Sequence, residues 1–167
     1  MPSTTTELIK ELRERTGAGI MECKRAIEEA NADLGAAEKL LKEWGLATAA
    51  KKAGREASQG LIEAYVHAGR IGALVEVNCE TDFVARTDDF RVFAREVAMQ
   101  VAATNPSRIS AQEEVSADGT DGDVPLLDQP YIRDPSKTVQ DLLNETIAKL
   151  RENVVIRRVA RFELGGQ

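Results

Sequence analysis

The sequence changes from strand-like to helix-like periodicity between residues 79 and 88, and this change restricts the possible folds more than any other feature. Apolar residues alternate with others along 71–79, as they do on a half-buried β-strand. From Asp88 onward they recur at intervals of three and four, as on an amphipathic helix. The alternating set is Ile71, Ala73, Val75 and Val77, and the helical set is Phe90, Phe93, Ala94, Val97, Ala98 and Val101. A further strand over 61–67 would complete a hairpin, on which the helix packs its apolar stripe.

The stretch between this strand and this helix, Asn78–Arg86, is polar and acidic and contains one large aromatic residue, Phe83. Two interpretations fit such a residue. In the first, Phe83 packs in the core beneath its own helix, and Thr81 or Asp82 caps that helix. In the second, Phe83 is exposed to solvent and contacts a partner. The residues of this stretch alone do not distinguish between the two.

The composition predicts an aliphatic core, because 43% of the 167 residues are hydrophobic but only 4% are aromatic. A chain of this length is sufficient for one domain with a small additional segment. The net charge is −6, and the range 104–134 contains seven acidic and two basic residues. This distribution argues against the basic face that general nucleic-acid binding requires, so we expect no direct contact with nucleic acid.

The hydropathy of the chain gives no indication of a membrane protein. No apolar run approaches the roughly 20 residues of a membrane-spanning helix. The N-terminal stretch 1–12 is polar and charged, unlike a secretory signal peptide. We therefore expect a cytoplasmic protein that does not associate with membranes.

The sequence contains no pattern typical of a catalytic or metal site. Cys23 and Cys79 lie far apart and His67 is the single histidine, so no zinc-binding spacing exists. Each Cys is most simply a small buried apolar residue. The sequence also has no nucleophile–base pair and no Gly-Lys-Ser/Thr phosphate-binding motif. We therefore expect a binding protein rather than an enzyme, with no cofactor and no metal of its own.

The N-terminal part, residues 1–46, is predicted to form a three-helix bundle, because its apolar residues recur at helical spacing. Thr4 and Glu7 fit a capping box at the start of the first helix, and Gly45 is expected to end the third. The predicted helices cover residues 4–16, 20–30 and 34–44. Tight turns between three short helices predict a minimal bundle.

Basic residues form two local groups, each with two possible roles. The alanine-rich segment 47–59 is predicted to be a helical linker, whose basic residues fit a solvated helix face or a contact with RNA. The basic residues of the last strand could form an anion site, or they could lie on its solvated side or protect an edge. The two groups are Lys51, Lys52 and Arg55, and Arg157, Arg158 and Arg161.

The remaining residues, 60–167, are predicted to form a core module with a three-stranded antiparallel sheet packed on helices, which makes the fold class α+β. The run 153–164 is the third strand, because the earlier hairpin is the only predicted sheet that it can join. A second helix, whose start is marked by Pro135 and Ser136, precedes this strand. Residues 107–128 are rich in Ser, Asp and Gly and are predicted to form a flexible loop.

Two stretches of the sequence resemble the signatures of one family, bacterial translation elongation factor Ts. Asn78–Arg86 reads Asn-Cys-Glu-Thr-Asp-Phe-Val-Ala-Arg and is similar to one signature. Thr16–Lys24 reads Thr-Gly-Ala-Gly-Ile-Met-Glu-Cys-Lys and is similar to the other. The motifs occur in the family's order and spacing, and the resemblance extends over nearly the whole chain. It implies that the N-terminal bundle is of the ubiquitin-associated type.

The resemblance also implies a function, guanine-nucleotide exchange on elongation factor Tu, the GTPase that delivers aminoacyl-tRNA. Such a factor binds the GDP form, disturbs its Mg²⁺ and phosphate site, and promotes GDP release without breaking a bond. The residues at matching positions are Thr81, Asp82, Phe83 and Val84 for the Mg²⁺ site, and Arg13, Ile20, Met21 and Lys24 for the contact made by the bundle.

The sequence departs from the family pattern in two places. Ile20-Met21 stands where the family usually has Met-Met, a change that keeps volume and apolar character. Short family members usually have a longer, charged helical stretch before the motif Leu126–Pro130, whereas only 107–125 precedes it here. Longer members contain two sheet modules, so a chain with one module is expected to form a homodimer. A binding adaptor of the ubiquitin-associated class is the alternative to an exchange factor.

Overall fold

The computed structural model describes residues 4–114 and 123–166 of the chain. The predicted α+β class is confirmed, because N-terminal helices precede a three-stranded antiparallel sheet that packs on helices. Within the described ranges, no helix is both long and apolar enough to cross a bilayer. The elements in chain order are α1 (Thr5–Thr16), α2 (Ile20–Glu29), α3 (Leu34–Lys52), β1 (Gln59–His67), β2 (Ile71–Cys79), α4 (Asp82–Ala85), α5 (Asp88–Thr104), a 3₁₀ turn (Leu126–Asp128), β3 (Pro130–Tyr131), β4 (Asp134–Thr138), α6 (Val139–Leu150) and β5 (Val154–Glu163).

Helices α1, α2 and α3 pack around a small core of their own. Thr4 caps α1, and the carboxylate of Glu7 accepts a hydrogen bond from the Thr4 backbone N–H at 2.8 Å. Gly17 ends α1 with φ 70°, a left-handed conformation that glycine adopts without strain. The buried residues of this core are Leu8, Leu12, Cys23, Ala26, Ile27 and Ala37. The first two predicted helices and the capping box are confirmed, and Cys23 is buried as expected.

Helix α3 does not end before Gly45, and this part of the sequence-based prediction was wrong. The helix continues to Lys52, so it includes part of the segment 47–59 that was predicted to be a separate linker. A glycine inside a helix costs only about 1 kcal/mol, and the alanines that follow favour helix. Gly45 is buried against α6, where an added Cβ would lie 3.7 Å from the Cβ of Ala148. Packing on α6 therefore outweighs the local tendency of glycine to end the helix.

The three strands pair antiparallel, as predicted, and their order in the sheet is β1-β2-β5. One face of β2 packs on α5, and the predicted stripes on the two elements are buried against each other. Gly60 in β1 faces Asn78, and an added Cβ would lie 2.0 Å from the carbonyl oxygen of Val77. Only glycine fits at this close approach of two backbones.

Strand β5 is an edge strand and contains a bulge at Arg157, because Arg158 pairs with Glu76 whereas Ile156 pairs with Val77. The Arg158 Nε donates to the Glu76 carboxylate at 2.7 Å, and the Arg157 Nε lies 4.0 Å from the same group. Arg161 donates from Nε to the carbonyl of Ala102, near the end of α5, at 2.9 Å. These contacts favour a structural role for the three arginines over an anion site.

Helix α6 begins at Val139, later than the predicted start at Pro135 and Ser136. Its N-cap is Thr138, whose hydroxyl accepts from the Asp141 backbone N–H at 3.1 Å. The Asp141 carboxylate in turn accepts from the Thr138 backbone N–H at 3.0 Å. Pro135 and Ser136 lie in β4, which pairs with β3 in a small hairpin that the sequence did not reveal. The capping box, rather than the proline, fixes the start of this helix.

This small hairpin is held on α5 by buried polar contacts. The Glu96 carboxylate accepts hydrogen bonds from the Tyr131 hydroxyl and from Arg133 Nη1, the latter at 2.6 Å. Burial and the neighbouring Glu96 carboxylate raise the pKa of the Tyr131 phenol. Gln100 Nε2 donates to Gln129 Oε1 at 3.0 Å. Buried polar groups of this kind are costly unless paired, so the network fixes where the hairpin lies.

The predicted flexible loop at 107–128 lies partly outside the described residues, which omit 115–122. Its described flanks are attached to each other, because the backbone N–H of Leu126 donates to the carbonyl of Arg108 and that of Leu127 to Ile109, each at 3.0 Å. Ile109 and Leu126 are also buried in the main core. These flanks therefore belong to the packed module.

Candidate partner-binding site

The junction between β2 and α5 contains a single helical turn, α4, that presents Phe83 to solvent. Thr81, rather than Asp82, is its N-cap, and the Thr81 hydroxyl accepts from the Val84 backbone N–H at 3.3 Å. Ala85 is buried and Val84 is half-buried against the main core, so these two residues anchor the turn. Phe83 points away from that core and is 79% exposed. The first interpretation, a Phe83 packed beneath its own helix, is therefore wrong.

Asp82 lies next to Phe83 at the start of α4 and is half-exposed. Its carboxylate forms an ion pair with Arg86 at 3.2 Å, one helical turn along the chain. A negative charge at the first turn of a helix is favourable, because the free N–H groups there carry partial positive charge. The turn therefore offers an exposed apolar ring beside a carboxylate that a partner can reach.

The turn between α6 and β5 supports α4 from a distant part of the sequence. Glu152 Oε2 accepts from the backbone N–H groups of Glu80 and Thr81, each at 2.9 Å, and Oε1 accepts from the Thr81 hydroxyl. A hydrogen bond also runs in the opposite direction, because the Glu80 carboxylate accepts from the Asn153 backbone N–H at 2.7 Å. Asn153 Nδ2 donates to the carbonyl of Arg55 at 2.8 Å. Two separate segments are thus joined by paired carboxylate–backbone contacts.

Cys79, the last residue of β2, contributes to the same junction as a neutral thiol. It is fully buried, as the sequence predicted, and its Sγ donates to the carbonyl of Thr81 at 3.1 Å. Burial, with the Glu152 carboxylate as a smaller contribution, raises the pKa of the Cys79 thiol to about 11. The thiol therefore keeps its proton, and with it the donor, at neutral pH.

A second candidate patch lies on the N-terminal bundle. Ile20 and Met21 begin α2 and are 54% and 73% exposed. Lys24 follows at helical spacing on the same face and makes only a long ion pair with Glu28, at 3.9 Å. Arg13, in the last turn of α1, is also exposed. All four side chains that the sequence singled out in this bundle are therefore available to a partner.

The two patches are connected through the turn that follows α6. Arg151 ends α6 in a left-handed conformation, with φ 59°, and its Nη2 contacts the Glu22 carboxylate on α2 at 3.1 Å. Glu22 is adjacent to Met21, and Glu152, the next residue after Arg151, holds Thr81. Consecutive residues of one turn therefore contact Thr81 in the first patch and Glu22, which lies beside the second.

Sequence reasoning missed Glu152 and Asn153 entirely. Their hydrogen-bond partners lie more than 70 positions away in the chain. The sequence signal that could have identified them is a short polar stretch, Arg151–Asn153, placed between a predicted helix and a predicted apolar strand. Over the part of the chain that the structure describes, no group of three or more His, Cys, Asp or Glu side chains is arranged to hold a metal ion.

Comparison with known proteins gives one consistent result. Residues 47–122 match the family model described as Elongation factor TS. Elongation factor Ts of Thermoanaerobacter sp. strain X514 is 52% identical over 193 aligned positions, which cover 96% of this chain and 95% of the relative. The protein of the same name from Herpetosiphon aurantiacus is 46% identical, with 98% of each chain covered.

The alignment with the Thermoanaerobacter protein spans more positions than this chain has residues, so the relative contains residues that this chain lacks. This agrees with a shortened chain but does not locate the missing part. Elongation factor Ts of Finegoldia magna is 42% identical over 99% of this chain and 91% of its own length. On identity and coverage of this extent, the chain belongs to the elongation factor Ts family.

Proposed function

We propose that this protein is a guanine-nucleotide exchange factor that binds elongation factor Tu in its GDP form. The observation that carries the proposal is the 79% exposure of Phe83 on a turn that is fixed by its neighbours, in a chain of this family. Large apolar side chains are normally buried, and an exposed one on a well-supported turn is suited to contact with another protein. The protein would act where translation takes place, in the cytoplasm, and would not catalyse a chemical reaction.

The proposed mechanism uses Phe83 as a wedge. A GTPase holds guanine nucleotide through Mg²⁺ and backbone donors around the phosphates. Insertion of Phe83 beside these groups would move the partner's secondary-structure elements and so weaken the coordination of Mg²⁺. GDP would then dissociate from the partner. Thr81 would hold the turn, Val84 would anchor it to this protein's core, and Asp82 would lie near the metal. The Mg²⁺ in this mechanism belongs to the partner.

The exposed side chains of the N-terminal bundle would provide the second contact. Ile20 and Met21 offer apolar area at the start of α2, and Arg13 and Lys24 offer positive charge beside it. The two contacts would fix the orientation in which Phe83 approaches the nucleotide site. Because binding coupling is reciprocal, GDP bound to the partner must weaken the exchange factor's binding by the same factor that the exchange factor weakens GDP.

The direct test uses purified elongation factor Tu loaded with fluorescent GDP. Addition of this protein together with excess unlabelled GDP is expected to increase the rate of fluorescence loss, in proportion to the concentration added. A release rate that does not change over a wide range of concentrations would overturn the proposal. The chain heated until unfolded and then cooled on ice, with loss of structure verified by circular dichroism, serves as the control for non-specific effects.

The outer face of the sheet supports the proposal that the protein is a homodimer. This face, opposite α5, includes the large exposed apolar side chains Ile62, Val66, Leu74 and Phe162, with exposed fractions of 62%, 66%, 47% and 76%. Val66 and Phe162 lie on either side of Gly72 in the strand register, so their side chains leave a shallow depression between them. Such a face is self-complementary in a twofold dimer, in which each copy covers the other.

Sedimentation velocity tests the dimer. The wild-type protein is expected to sediment as a dimer at micromolar concentration, and Phe162→Glu is expected to sediment as a monomer, because it replaces the most exposed apolar side chain of this face with a charge that the dimer would bury. Val92→Glu, an exposed apolar site on α5, is the matched control and should leave the dimer intact. A wild-type protein that is monomeric throughout this range would contradict the proposal.

A further inference from the structure

We propose that Glu152 is a positioning residue for nucleotide exchange, which acts by holding the backbone of the Phe83 turn. This inference rests on the exchange function proposed above. It concerns a residue outside both signature stretches, in the turn between α6 and β5.

The first argument is that α4 cannot hold its own orientation. The helix has only four residues, and a single turn is not stable in isolation because few hydrogen bonds compensate for the ordered backbone. The residues just before it, Glu80 and Thr81, direct their backbone N–H groups toward the Glu152 carboxylate. Charge-assisted hydrogen bonds of this kind are stronger than neutral ones. Glu152 therefore supplies the restraint that the short helix lacks.

The second argument is that Glu152 also fixes the N-cap side chain. Its second oxygen accepts from the Thr81 hydroxyl, while the same hydroxyl accepts from the Val84 backbone N–H at 3.3 Å. The Thr81 hydroxyl thus donates its proton to Glu152, and its oxygen accepts from a backbone N–H of α4. Phe83 lies between Thr81 and Val84, so these hydrogen bonds fix the direction in which its side chain leaves the backbone.

The third argument is that Glu152 is itself held in place. The neighbouring Asn153 is only 4% exposed, its backbone N–H donates to the Glu80 carboxylate, and its side chain donates to the carbonyl of Arg55. Arg55 also lies 3.7 Å from the Glu80 carboxylate. The contacts run in both directions between the two turns, so a displacement of one turn must break bonds on the other. Support of this kind is what a preorganised binding group requires.

The test measures GDP release from elongation factor Tu with three variants. Glu152→Ala removes all three hydrogen bonds, and we expect its apparent second-order exchange constant to fall roughly 5- to 30-fold, because backbone order equivalent to about one residue is lost and must be restored on binding. Glu152→Gln is expected to recover most of the activity. Its amide oxygen can accept from the two backbone N–H groups, and its NH₂ can donate to the Thr81 hydroxyl.

The third variant tests whether Glu152 acts through Phe83. In the double variant Phe83→Ala/Glu152→Ala, exchange should be no slower than in Phe83→Ala alone, because the ring that Glu152 positions is absent. Independent, multiplicative losses would overturn the inference, and so would a Glu152→Ala protein that exchanges like the wild type. Glu145→Ala, which removes an exposed carboxylate in the middle of α6 that pairs with Lys137 of β4, is the matched control and should not change exchange.

A measurement on the free protein separates this inference from the proposed function. Hydrogen–deuterium exchange of a peptide that covers 80–86 is expected to accelerate in Glu152→Ala, while peptides from α5 keep their protection. If the wild type does not promote GDP release, the exchange function fails and the inference fails with it as a statement about exchange. Unchanged protection of 80–86 would in addition show that Glu152 does not hold the turn.

Discussion

Replacement of Phe83 by alanine separates binding from folding more sharply than any other change in this protein. Phe83 is 79% exposed, so its removal deletes little that the folded monomer uses. Exposed substitutions of this kind usually change the free energy of unfolding by less than about 0.5 kcal/mol. The same ring is expected to be buried when the partner binds. The variant should therefore remain as stable as the wild type and lose activity.

The size of the loss follows from the exposed fraction of the ring. Complete burial of a Phe side chain contributes roughly 1.5–3 kcal/mol, and the 79% that is free for a partner to cover contributes roughly 1.2–2.4 kcal/mol. With about 1.4 kcal/mol for each factor of ten, Phe83→Ala should lower the apparent second-order constant for GDP release roughly 7- to 50-fold. Phe83→Leu keeps part of the apolar area, so its apparent second-order constant should lie between those of the wild type and Phe83→Ala.

The assay is the release of fluorescent GDP from elongation factor Tu, and chemical denaturation of each variant is measured in parallel. Val92→Ala, which shortens an exposed apolar side chain on α5, is the control and should behave like the wild type in both measurements. Two results would refute the reasoning. Phe83→Ala could lose stability in parallel with activity, which would mean that the ring supports the fold, or it could exchange at the wild-type rate.

Three further predictions concern the fold around the site. Gly45→Ala should raise the free energy of unfolding by about 0.5–1 kcal/mol in urea denaturation, because alanine favours helix and its Cβ has room at 3.7 Å from Ala148. Glu96→Ala should lower it by about 1–3 kcal/mol in the same experiment, because the buried Tyr131 hydroxyl loses its acceptor. Cys79 has a native pKa of about 11, above its ordinary value of 9.0, so the folded state loses stability as the pH rises through this interval. The stability advantage of the wild type over Cys79→Ala should therefore shrink between pH 9 and 11, as measured by denaturation at each pH.

The features that were predictable from the sequence are those fixed by local periodicity. The alternation at Ile71–Val77 and the helical stripe from Phe90 to Val101 correctly located β2 and α5, because each pattern depends only on the geometry of its own element. The three-stranded sheet followed from them, because the predicted strand at 153–164 could pair only with this hairpin. The exposure of Phe83 did not follow from these patterns, since a one-turn helix has no periodicity to read.

The features that were missed depend on contacts between distant parts of the chain. Gly45 appeared to be a helix end, and its packing against Ala148, which the sequence does not show, contributes to the continuation of α3. Pro135 appeared to start a helix, and only pairing with β3 places it in a strand. Glu152 carried only a weak local signal, its place in a short polar stretch after a predicted helix, because both residues that it holds lie across the fold. A single sequence contains no record of such pairings.

The continuity of α3 restricts which insertions and deletions the chain can accept. Its first half belongs to the N-terminal bundle, while Lys42 pairs with Asp141 at 3.6 Å and Gly45 packs against α6. One residue added between these regions would advance the helix by about 1.5 Å and turn it by about 100°. The bundle would then rotate about the helix axis, and Glu22 on α2 would lose its contact with Arg151 in the turn after α6. Length differences among homologous chains are therefore expected in connecting loops, whereas α3 should keep a constant number of residues.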